Sequence, residues 1–487
     1  MKKNIFYFVC TFLILSSCSQ DFIDLMPTST VTADYYYQTD KDFSDALIGV
    51  YASIRSQYNY FYCFGDLRAD DSYIEFRKSN YKTFFDDFTL NSADGQMNSA
   101  WQNYYQAIFR ANTLLEKIES LDEATIPNKK RYIGEARFNR ALCYFDLLRI
   151  FGAVPAVTKV LTVDEAYQTP REPVENLYNN IIIPDLQAAE SSLLASYSGN
   201  NIGRPTIGAA KALLGRVYLT MGEFQKAESK LMEVTSLGYK LVDNYKDLYD
   251  YENKRHSEYI YNIEYVGGTS AEGSPFTNSF LPNQADFNTN FGISGQCREF
   301  NNPTPAFMIL FEEGDVRKDA SVGPEGGYYN KTTGTWVTLQ PGTNQRYTVK
   351  YLCSTTVNNG SPADWKFIRY ADVLLMLAEA MNENGKTAQA IPYLNMIRKR
   401  AGLSEFPTTM SKTETFDAIE KERRIELCFE GHRWFDLIRW GKAYEVMINS
   451  GESQHGMVDF MTLFPIPLRQ VQLYNNKEIL PQNPGWN

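Results

Sequence analysis

The chain has 487 residues, of which 44% are hydrophobic and 22% charged, proportions typical of a globular protein rather than a disordered one. Lysine and arginine number 48 against 58 acidic residues, a net charge of −10. Binding to nucleic acid is therefore not expected, because neutralisation of phosphate dominates that affinity. Only three histidines are present, so we expect no metal site and no cofactor, whereas 33 tyrosines and 30 phenylalanines suit a large core and an aromatic contact surface.

The first predicted element is a lipoprotein signal peptide over residues 1–17. Lys2 and Lys3 precede an apolar run, residues 5–15, that is shorter than the roughly 20 residues needed to span a bilayer. The next residues, Leu15-Ser16-Ser17-Cys18, are similar to a bacterial lipobox, in which cleavage precedes Cys18 and its thiol is lipidated. The alternative is an ordinary secretory signal followed by a chance cysteine. We expect the mature chain, residues 18–487, to be one domain anchored to a membrane by lipid on Cys18.

The remaining cysteines give no sign of a disulfide framework or a zinc site. They are odd in number and form no CxxC pair. Cys143 and Cys428 lie within amphipathic helical patterns and are predicted to be buried thiols.

Helical periodicity begins near Asp40. Apolar side chains recur there every three or four residues and define one face of a helix: Phe43, Ala46, Leu47, Val50, Tyr51 and Ile54. A second helix is predicted from about Ser99 and a third over about Lys129 to Phe151. A fourth, weaker pattern begins at Val174 and contains Pro184, where the helix either kinks or starts again.

Two later stretches are similar to each other. Gly222 is followed after five residues by Ala227, and Gly385 is followed after five by Ala390; an aliphatic residue comes four positions further on in both. Apolar residues at helical spacing also precede each glycine. The pattern predicts helix hairpins similar to tetratricopeptide repeats, and the earlier helices could form two more copies. Such hairpins bury their faces by stacking. We therefore predict a mainly α fold, with helical repeats over about 40–238 and 367–450.

Between about residues 239 and 366 this periodicity disappears. The stretch is rich in glycine, asparagine, threonine, proline and aromatic residues. A loop-rich region of this length inside a compact protein is usually functional. We expect an irregular, ligand-bearing insertion that carries short helices and a small β-hairpin near residues 328–337.

Several motifs along the chain resemble those of the SusD/RagB family of outer-membrane nutrient-binding lipoproteins. They are Asp21-Phe22-Ile23-Asp24-Leu25-Met26-Pro27, Arg110-Ala111-Asn112-Thr113-Leu114-Leu115, Gly134-Glu135-Ala136-Arg137-Phe138-Asn139-Arg140-Ala141, Phe151-Gly152-Ala153-Val154-Pro155, Pro170-Arg171, Gly203-Arg204-Pro205-Thr206, Ile368-Arg369-Tyr370-Ala371-Asp372-Val373-Leu374-Leu375, Glu422-Arg423-Arg424-Ile425-Glu426-Leu427, Glu430-Gly431-His432-Arg433-Trp434-Phe435-Asp436-Leu437 and Gln482-Asn483-Pro484-Gly485. With the lipobox, they cover nearly the whole chain.

This resemblance implies a helical repeat scaffold with an irregular ligand-bearing half. It implies a lipoprotein of the outer membrane, facing the cell exterior, that captures oligosaccharides for a TonB-dependent transporter of the SusC type. Relatives similar to RagB capture peptides instead. The shared motifs belong to the scaffold and ligand contacts vary between members, so the resemblance indicates a role more firmly than a site.

The densest cluster of charged residues, residues 420–439, is interpreted as structural. Glu422, Glu426 and Glu430 share one helix face, but the Glu-x-x-His pairs of a di-iron bundle do not occur there. Arginine–carboxylate pairs that join consecutive helices are the preferred interpretation. No nucleophile elbow or phosphate-binding glycine loop is present in the sequence, and the protein is not expected to be an enzyme.

The candidate ligand site is an aromatic platform built from two regions. Five rings occur between residues 58 and 64, followed by a polar group, and Trp336 lies at the predicted hairpin tip. The predicted contacts are Tyr60, Tyr62, Asp66, Arg68, Asp70, Asp71, Tyr73, Tyr328 and Trp336. Rings stack on sugar faces, and polar side chains bind hydroxyls. The first region also fits partial burial under the insertion. A peptide binder and a lipid-anchored scaffold for other proteins remain alternatives to a glycan binder.

Overall fold

The computed structural model describes residues 36–74, 82–342, 345–450 and 456–486, so the predicted signal peptide and Cys18 lie outside it. The fold is mainly α, as predicted. The α-helices of the described residues are α1 (Asp40–Tyr58), α2 (Phe61–Gly65), α3 (Thr83–Asp86), α4 (Gly95–Glu119), α5 (Lys129–Phe151), α6 (Val163–Gln168), α7 (Val174–Leu177), α8 (Ile183–Ser192), α9 (Ile207–Thr220), α10 (Phe224–Thr235), α11 (Phe276–Phe280), α12 (Ala285–Phe291), α13 (Pro305–Met308), α14 (Lys318–Ser321), α15 (Tyr370–Glu383), α16 (Thr387–Arg400), α17 (Lys412–Glu426), α18 (Arg433–Arg439), α19 (Ala443–Asn449) and α20 (Leu468–Tyr474).

The strands are short and pair two by two, all antiparallel. They are β1 (Ser72–Tyr73), β2 (Val154–Pro155), β3 (Arg171–Glu172), β4 (Tyr259–Ile263), β5 (Asn302–Pro303), β6 (Gly327–Tyr329), β7 (Trp336–Thr338) and β8 (Trp365–Arg369). The pairs are β1 with β5, β2 with β3, β4 with β8, and β6 with β7. Pairs β1–β5 and β4–β8 join segments that are distant in sequence, and pair β2–β3 joins the segments on either side of α6. Only β6–β7 is the local hairpin that the sequence predicted.

The helix hairpins predicted around Gly222 and Gly385 are confirmed as α9–α10 and α15–α16. Both glycines have left-handed backbone conformations, with φ of 74° and 76°, which a residue with a Cβ adopts at a cost. Ala227 and Ala390 are fully buried, and each second helix packs against the first. The same packing occurs between α1 and α4 and between α5 and α8, so the earlier helices extend the repeat scaffold.

The helix that was expected to kink or restart at Pro184 instead passes through a π-helical turn. Residues Tyr178–Ile182 form this turn between α7 and α8, and the Ile183 amide donates to the Tyr178 carbonyl five residues back. Pro184 then occupies the first turn of α8, where its missing N–H breaks no hydrogen bond.

The irregular half has a small hydrophobic cluster of its own. Leu281, Phe287, Cys297, Tyr328 and Tyr347 are buried together beside the β6–β7 hairpin. Strand pairs β4–β8 and β1–β5 connect this half to the scaffold. Short helices and a hairpin in this region were both predicted from the sequence.

Buried ion pairs join the two halves. Arg369 at the end of β8 donates to Glu258, at 2.7 Å, and to Glu430, at 2.9 Å. Arg317 donates to Asp315 at 2.7 Å and contacts Glu426 at 3.3 Å. This confirms the structural interpretation of the charged cluster, although the pairs reach across the chain as well as between consecutive helices. In the described residues, the helices are too short or too polar to cross a membrane.

Candidate functional site

The ring-rich stretch after α1 is mostly core. Tyr58, Phe61, Tyr62 and Phe64 are at most 3% exposed. Phe61 lies flat against Phe435, with centroids 5.7 Å apart, and Tyr62 meets Phe280 edge-on at 4.8 Å. Tyr62 is therefore placed away from any external ligand, because the short helix α2 turns these rings into the space between the scaffold and the irregular half. Tyr60, at the N-cap of α2, is the half-buried exception.

The acidic group that follows contacts arginines and backbone rather than solvent. Asp66 accepts hydrogen bonds from the Gly431 amide, at 2.8 Å, and the Asn301 side chain, at 3.1 Å. Asp70 accepts from Arg433 and Arg424, both at 2.8 Å. This corrects the prediction of acceptors open to ligand, because burial of these carboxylates requires partners and the C-terminal arginines supply them.

Asp71 and Arg68 are likewise committed to the interior. Asp71 accepts from the Arg424 Nε at 3.0 Å. The Arg68 guanidinium lies 3.7 Å from the centre of the Phe88 ring and donates to the Phe85 carbonyl at 3.2 Å. Burial lowers the pKa of Arg68. Both residues were predicted ligand contacts, and in the structure both hold the N-terminal segment against the rest of the chain.

Burial and neighbouring charge shift the pKa values of Asp66 and Asp70 in opposite directions. Burial raises the pKa of Asp66 to about 7, and its hydrogen bonds only partly oppose that effect. Burial would also raise the pKa of Asp70, but the charges of Arg433 and Arg424 outweigh it and lower the pKa. Asp70 thus remains ionised as part of an ion pair, which is a structural role.

The two predicted regions meet through Arg346. Its guanidinium donates to the Tyr73 hydroxyl at 2.7 Å, to the Pro303 carbonyl at 3.3 Å and to Glu325 at 2.9 Å. Glu325 lies two residues before β6. Tyr73 is 8% exposed and Tyr328 only 2%, so neither ring offers a face to a ligand. The two predicted regions do lie close together, but the group between them is the Arg346 guanidinium and not an aromatic platform.

The exposed rings lie on the outer face of the hairpin. Tyr329 and Trp336 are opposite each other in the β6–β7 register, with ring centroids 5.2 Å apart and planes at 72°. Tyr329 is 60% exposed and Trp336 44%. Because side chains alternate along a strand, Tyr328 enters the small core while Tyr329 faces outward. Sequence reasoning missed Tyr329, although the alternation within Tyr328-Tyr329 was available as a signal.

Polar groups from α12 and the hairpin loop lie beside the hairpin that carries these rings. Asn290 donates to the Tyr329 carbonyl at 3.3 Å and accepts from the Lys331 amide at 2.9 Å. The Lys331 ammonium lies 4.8 Å from the centre of the Phe291 ring. We call Tyr329, Trp336, Asn290 and Lys331 the hairpin patch. It combines two partly exposed rings with hydrogen-bond donors, an arrangement that suits stacking on a sugar and binding of its hydroxyls.

Comparison with known proteins places the whole chain in one group. Residues 239–486 match the family model described as the SusD family, and residues 21–219 match one described as starch-binding, associating with outer membrane. The SusD-like protein P2 of Formosa agariphila is 27% identical over 523 residues, covering 100% of both chains. A SusD-like protein of Bacteroides ovatus is 26% identical over 476 residues, covering 90% of this chain and 83% of that protein.

Solved structures show the same likeness. A laminarin binding SusD-like protein superposes with a TM-score of 0.77 at 29% identity, covering 92% of this chain and 100% of its own. A SusD-like protein of Bacteroides fragilis superposes with a TM-score of 0.79 at 24% identity, covering 95% and 100% of the two chains. The second match supports the fold alone.

Proposed function

The chain belongs to the SusD family, and from that premise we propose that it is a non-catalytic, cell-surface lipoprotein that captures an oligosaccharide and delivers it to a TonB-dependent transporter of the SusC type. The observation that carries the capture step is the pair of exposed rings, Tyr329 and Trp336, on a hairpin whose other face is anchored in a core. A ring held open on a rigid hairpin offers stacking area at little cost in conformational entropy.

The carbohydrate class is favoured by the relatives and by the chemistry of the patch. One structurally similar relative is named for laminarin binding. Sugar rings present flat C–H faces, which stack on aromatic side chains, and hydroxyls, which bind groups such as the Asn290 amide and the Lys331 ammonium. Weak binding suits this role, because the ligand is later released to a transporter.

Membrane attachment, on the side facing the cell exterior, is proposed through Cys18. The family description of association with the outer membrane supports it, together with the lipobox-like Leu15-Ser16-Ser17-Cys18. Cys18→Ala is expected to leave the fold intact and release the protein from membranes. Recovery of this variant in the membrane fraction after a salt wash would count against the lipid anchor.

Delivery requires a channel for a polar solute, and we propose a barrel transporter as the partner, docked on a face of the helical repeats. Such a face offers rigid, exposed helices, whereas the hairpin patch stays open to ligand. Extraction in mild detergent is expected to recover the lipoprotein together with a large barrel. Repeated isolation of a lone monomer would weaken this part of the proposal.

The capture step is tested by titration calorimetry of residues 19–487 against a glycan library and a peptide library, with chromatography of each ligand after incubation. We expect binding to at least one oligosaccharide, no binding to peptides and no change in the ligand. Binding to peptides alone would favour uptake of peptides, and turnover of any ligand would overturn the non-catalytic assignment.

A further inference from the structure

A groove lies on the helical half of the molecule, outside the hairpin patch. It is bordered by α4, α6 and α20 and has a volume of about 650 Å³, within the range of about 300–1,000 Å³ that is usual for small-ligand sites. The described residues that line it carry no charged side chain. Its walls hold aromatic rings and side-chain amides, among them Phe109, Tyr167, Tyr474, Gln102 and Gln470.

A chain of amides orients two polar groups at the groove. Gln470 is 8% exposed, and its Nε2 donates to the Asn98 Oδ1 at 2.9 Å. The Asn98 Nδ2 in turn donates to the Gln102 Oε1 at 3.0 Å. This leaves the Gln470 Oε1 as an acceptor and the Gln102 Nε2 as a donor, and neither bonds to any residue that the structure describes. The Gln470 amide is therefore buried and oriented by the bond of its Nε2, while its Oε1 is available to accept a hydrogen bond from a ligand in the groove.

The rings of the groove supply contact area beside these amides. Tyr167 and Tyr474 meet edge-on, with centroids 5.4 Å apart, and Phe109 is 51% exposed. Burial raises the pKa of Tyr474 to about 12, so its hydroxyl remains a donor at neutral pH. The Tyr167 and Tyr474 hydroxyls both lack hydrogen-bond partners within the described part of the chain.

We propose that this groove is a second carbohydrate site, which binds a neutral oligosaccharide through its rings and through the Gln470 and Gln102 amides. The inference rests on the proposed capture of oligosaccharides and adds a site to it. Open donors and acceptors beside ring faces match the alternating hydroxyls and C–H faces of a sugar chain.

The construction of the groove favours a neutral glycan over other ligands. Most of its walls are helices, whose backbone groups are bonded internally, and the segment of residues 157–162 that completes the lining belongs to no strand, so an extended peptide finds no strand edge to pair with. An acidic sugar would lose hydration at its carboxylate or sulfate without gaining a cationic partner from the lining residues. The uncharged lining therefore selects for uncharged ligand.

Hydrogen–deuterium exchange of residues 19–487 tests the site by location. The probes are five neutral hexasaccharides: laminarihexaose, maltohexaose, cellohexaose, xylohexaose and mannohexaose, each at millimolar concentration. We expect at least one to slow exchange in residues 162–168 and 468–475, separately from any protection of residues 327–338. Protection of residues 327–338 alone would overturn the groove site while leaving the proposed function in place.

Substitutions of groove residues test whether the slowed hydrogen exchange results from ligand bound in the groove. Gln470→Leu and Phe109→Ala are expected to weaken the groove's binding by about three- to tenfold, as expected for loss of one hydrogen bond or one contact ring, with Trp336→Ala leaving it unchanged. Circular dichroism confirms that each variant is folded. Failure of all five probes to protect the groove, or groove protection that survives both variants, contradicts the inference. Protection of the groove by the co-purified barrel, but by no sugar, would assign it to protein docking and would also overturn the inference.

Discussion

The role of an aspartate in this protein is decided by its neighbours, which lie far away in sequence. Asp70 and Asp71 follow a ring-rich stretch and suggested ligand binding, yet their partner Arg424 is more than 350 residues later in the chain. Residue type and local spacing predicted that these side chains were important. They did not predict whether a sugar or an arginine would face them, because burial depends on contacts between distant segments.

Removal of the Asp70 carboxylate is expected to destabilise the fold strongly. Asp70→Ala leaves the buried Arg433 and the half-buried Arg424 with less neutralising charge, and breaking one side of a buried pair costs about 3–5 kcal/mol. Urea unfolding followed by circular dichroism measures the change. The control, Asp45→Ala, removes the partner of Lys41 in an exposed pair and should have little effect. Equal effects of the two variants would refute a structural role for Asp70.

Acid is expected to weaken the fold through carboxylates paired with arginine. Burial would raise the pKa of Glu430, but the charges of Arg369 and Lys350 outweigh it and hold the pKa at about 2. The pKa of Asp436 is also about 2, for the corresponding reason with Arg423 and Arg439. Because these values lie below those of the unfolded chain, near 4, the stabilisation is complete above about pH 4.5 and is lost as the pH falls toward 2.

Urea unfolding at a series of pH values between 7 and 3 checks this dependence. The Glu430→Gln variant should be less stable at pH 7 and should lose less stability than the wild type on acidification. Asp66 contributes in the opposite sense, because its pKa is raised to about 7: its contribution is largest at low pH and declines between about pH 4 and 7. A Glu430→Gln variant whose acid dependence matches that of the wild type would contradict the assigned cause.

At the scale of elements, the sequence pattern predicted the helix and strand hairpins, which are determined by residues close together in the chain. The α9–α10 and α15–α16 hairpins follow from a turn glycine and a buried alanine at fixed spacing, and the β6–β7 hairpin follows from turn residues between two short strands. The β1–β5 and β4–β8 pairs were not predicted, because they join segments separated by about 230 and 100 residues. The π-helical turn before Pro184 was missed because its shifted hydrogen bond has no signature in residue spacing.

The turn glycines of the repeats provide a test at this scale. Gly222 has φ of 74° and open space where the Cβ of an alanine would lie, so Gly222→Ala should cost about 1–2 kcal/mol through backbone strain alone. Gly95, at the start of α4, also has open space but not the left-handed conformation. Gly95→Ala should leave stability unchanged or raise it slightly. Thermal unfolding of both variants measures the difference, and a neutral Gly222→Ala would show that the turn does not need glycine.

At the scale of the whole molecule, a rigid helical scaffold carries a loop-rich half that presents one hairpin to solvent. The general architecture and the family resemblance were evident from ordered motifs along nearly the whole chain. The ligand-facing residues were not, since only Trp336 and the half-buried Tyr60 among the nine predicted contacts keep substantial exposure. Segments rich in aromatic rings occur both in the core and on the surface. Only the packing of the segments decides which rings are buried.

The most direct test of the capture mechanism is the affinity of Trp336→Ala for an oligosaccharide that the wild type binds, measured by calorimetry beside its melting temperature. Loss of one stacking ring should cost about 1–3 kcal/mol, so binding at the hairpin patch should weaken by about fivefold to 150-fold. The melting temperature should scarcely change, because the ring is 44% exposed. Tyr444→Ala, which removes a ring of similar exposure on α19, should alter neither the affinity nor the site. Unaltered affinity of Trp336→Ala with a large fall in melting temperature would contradict capture at the hairpin.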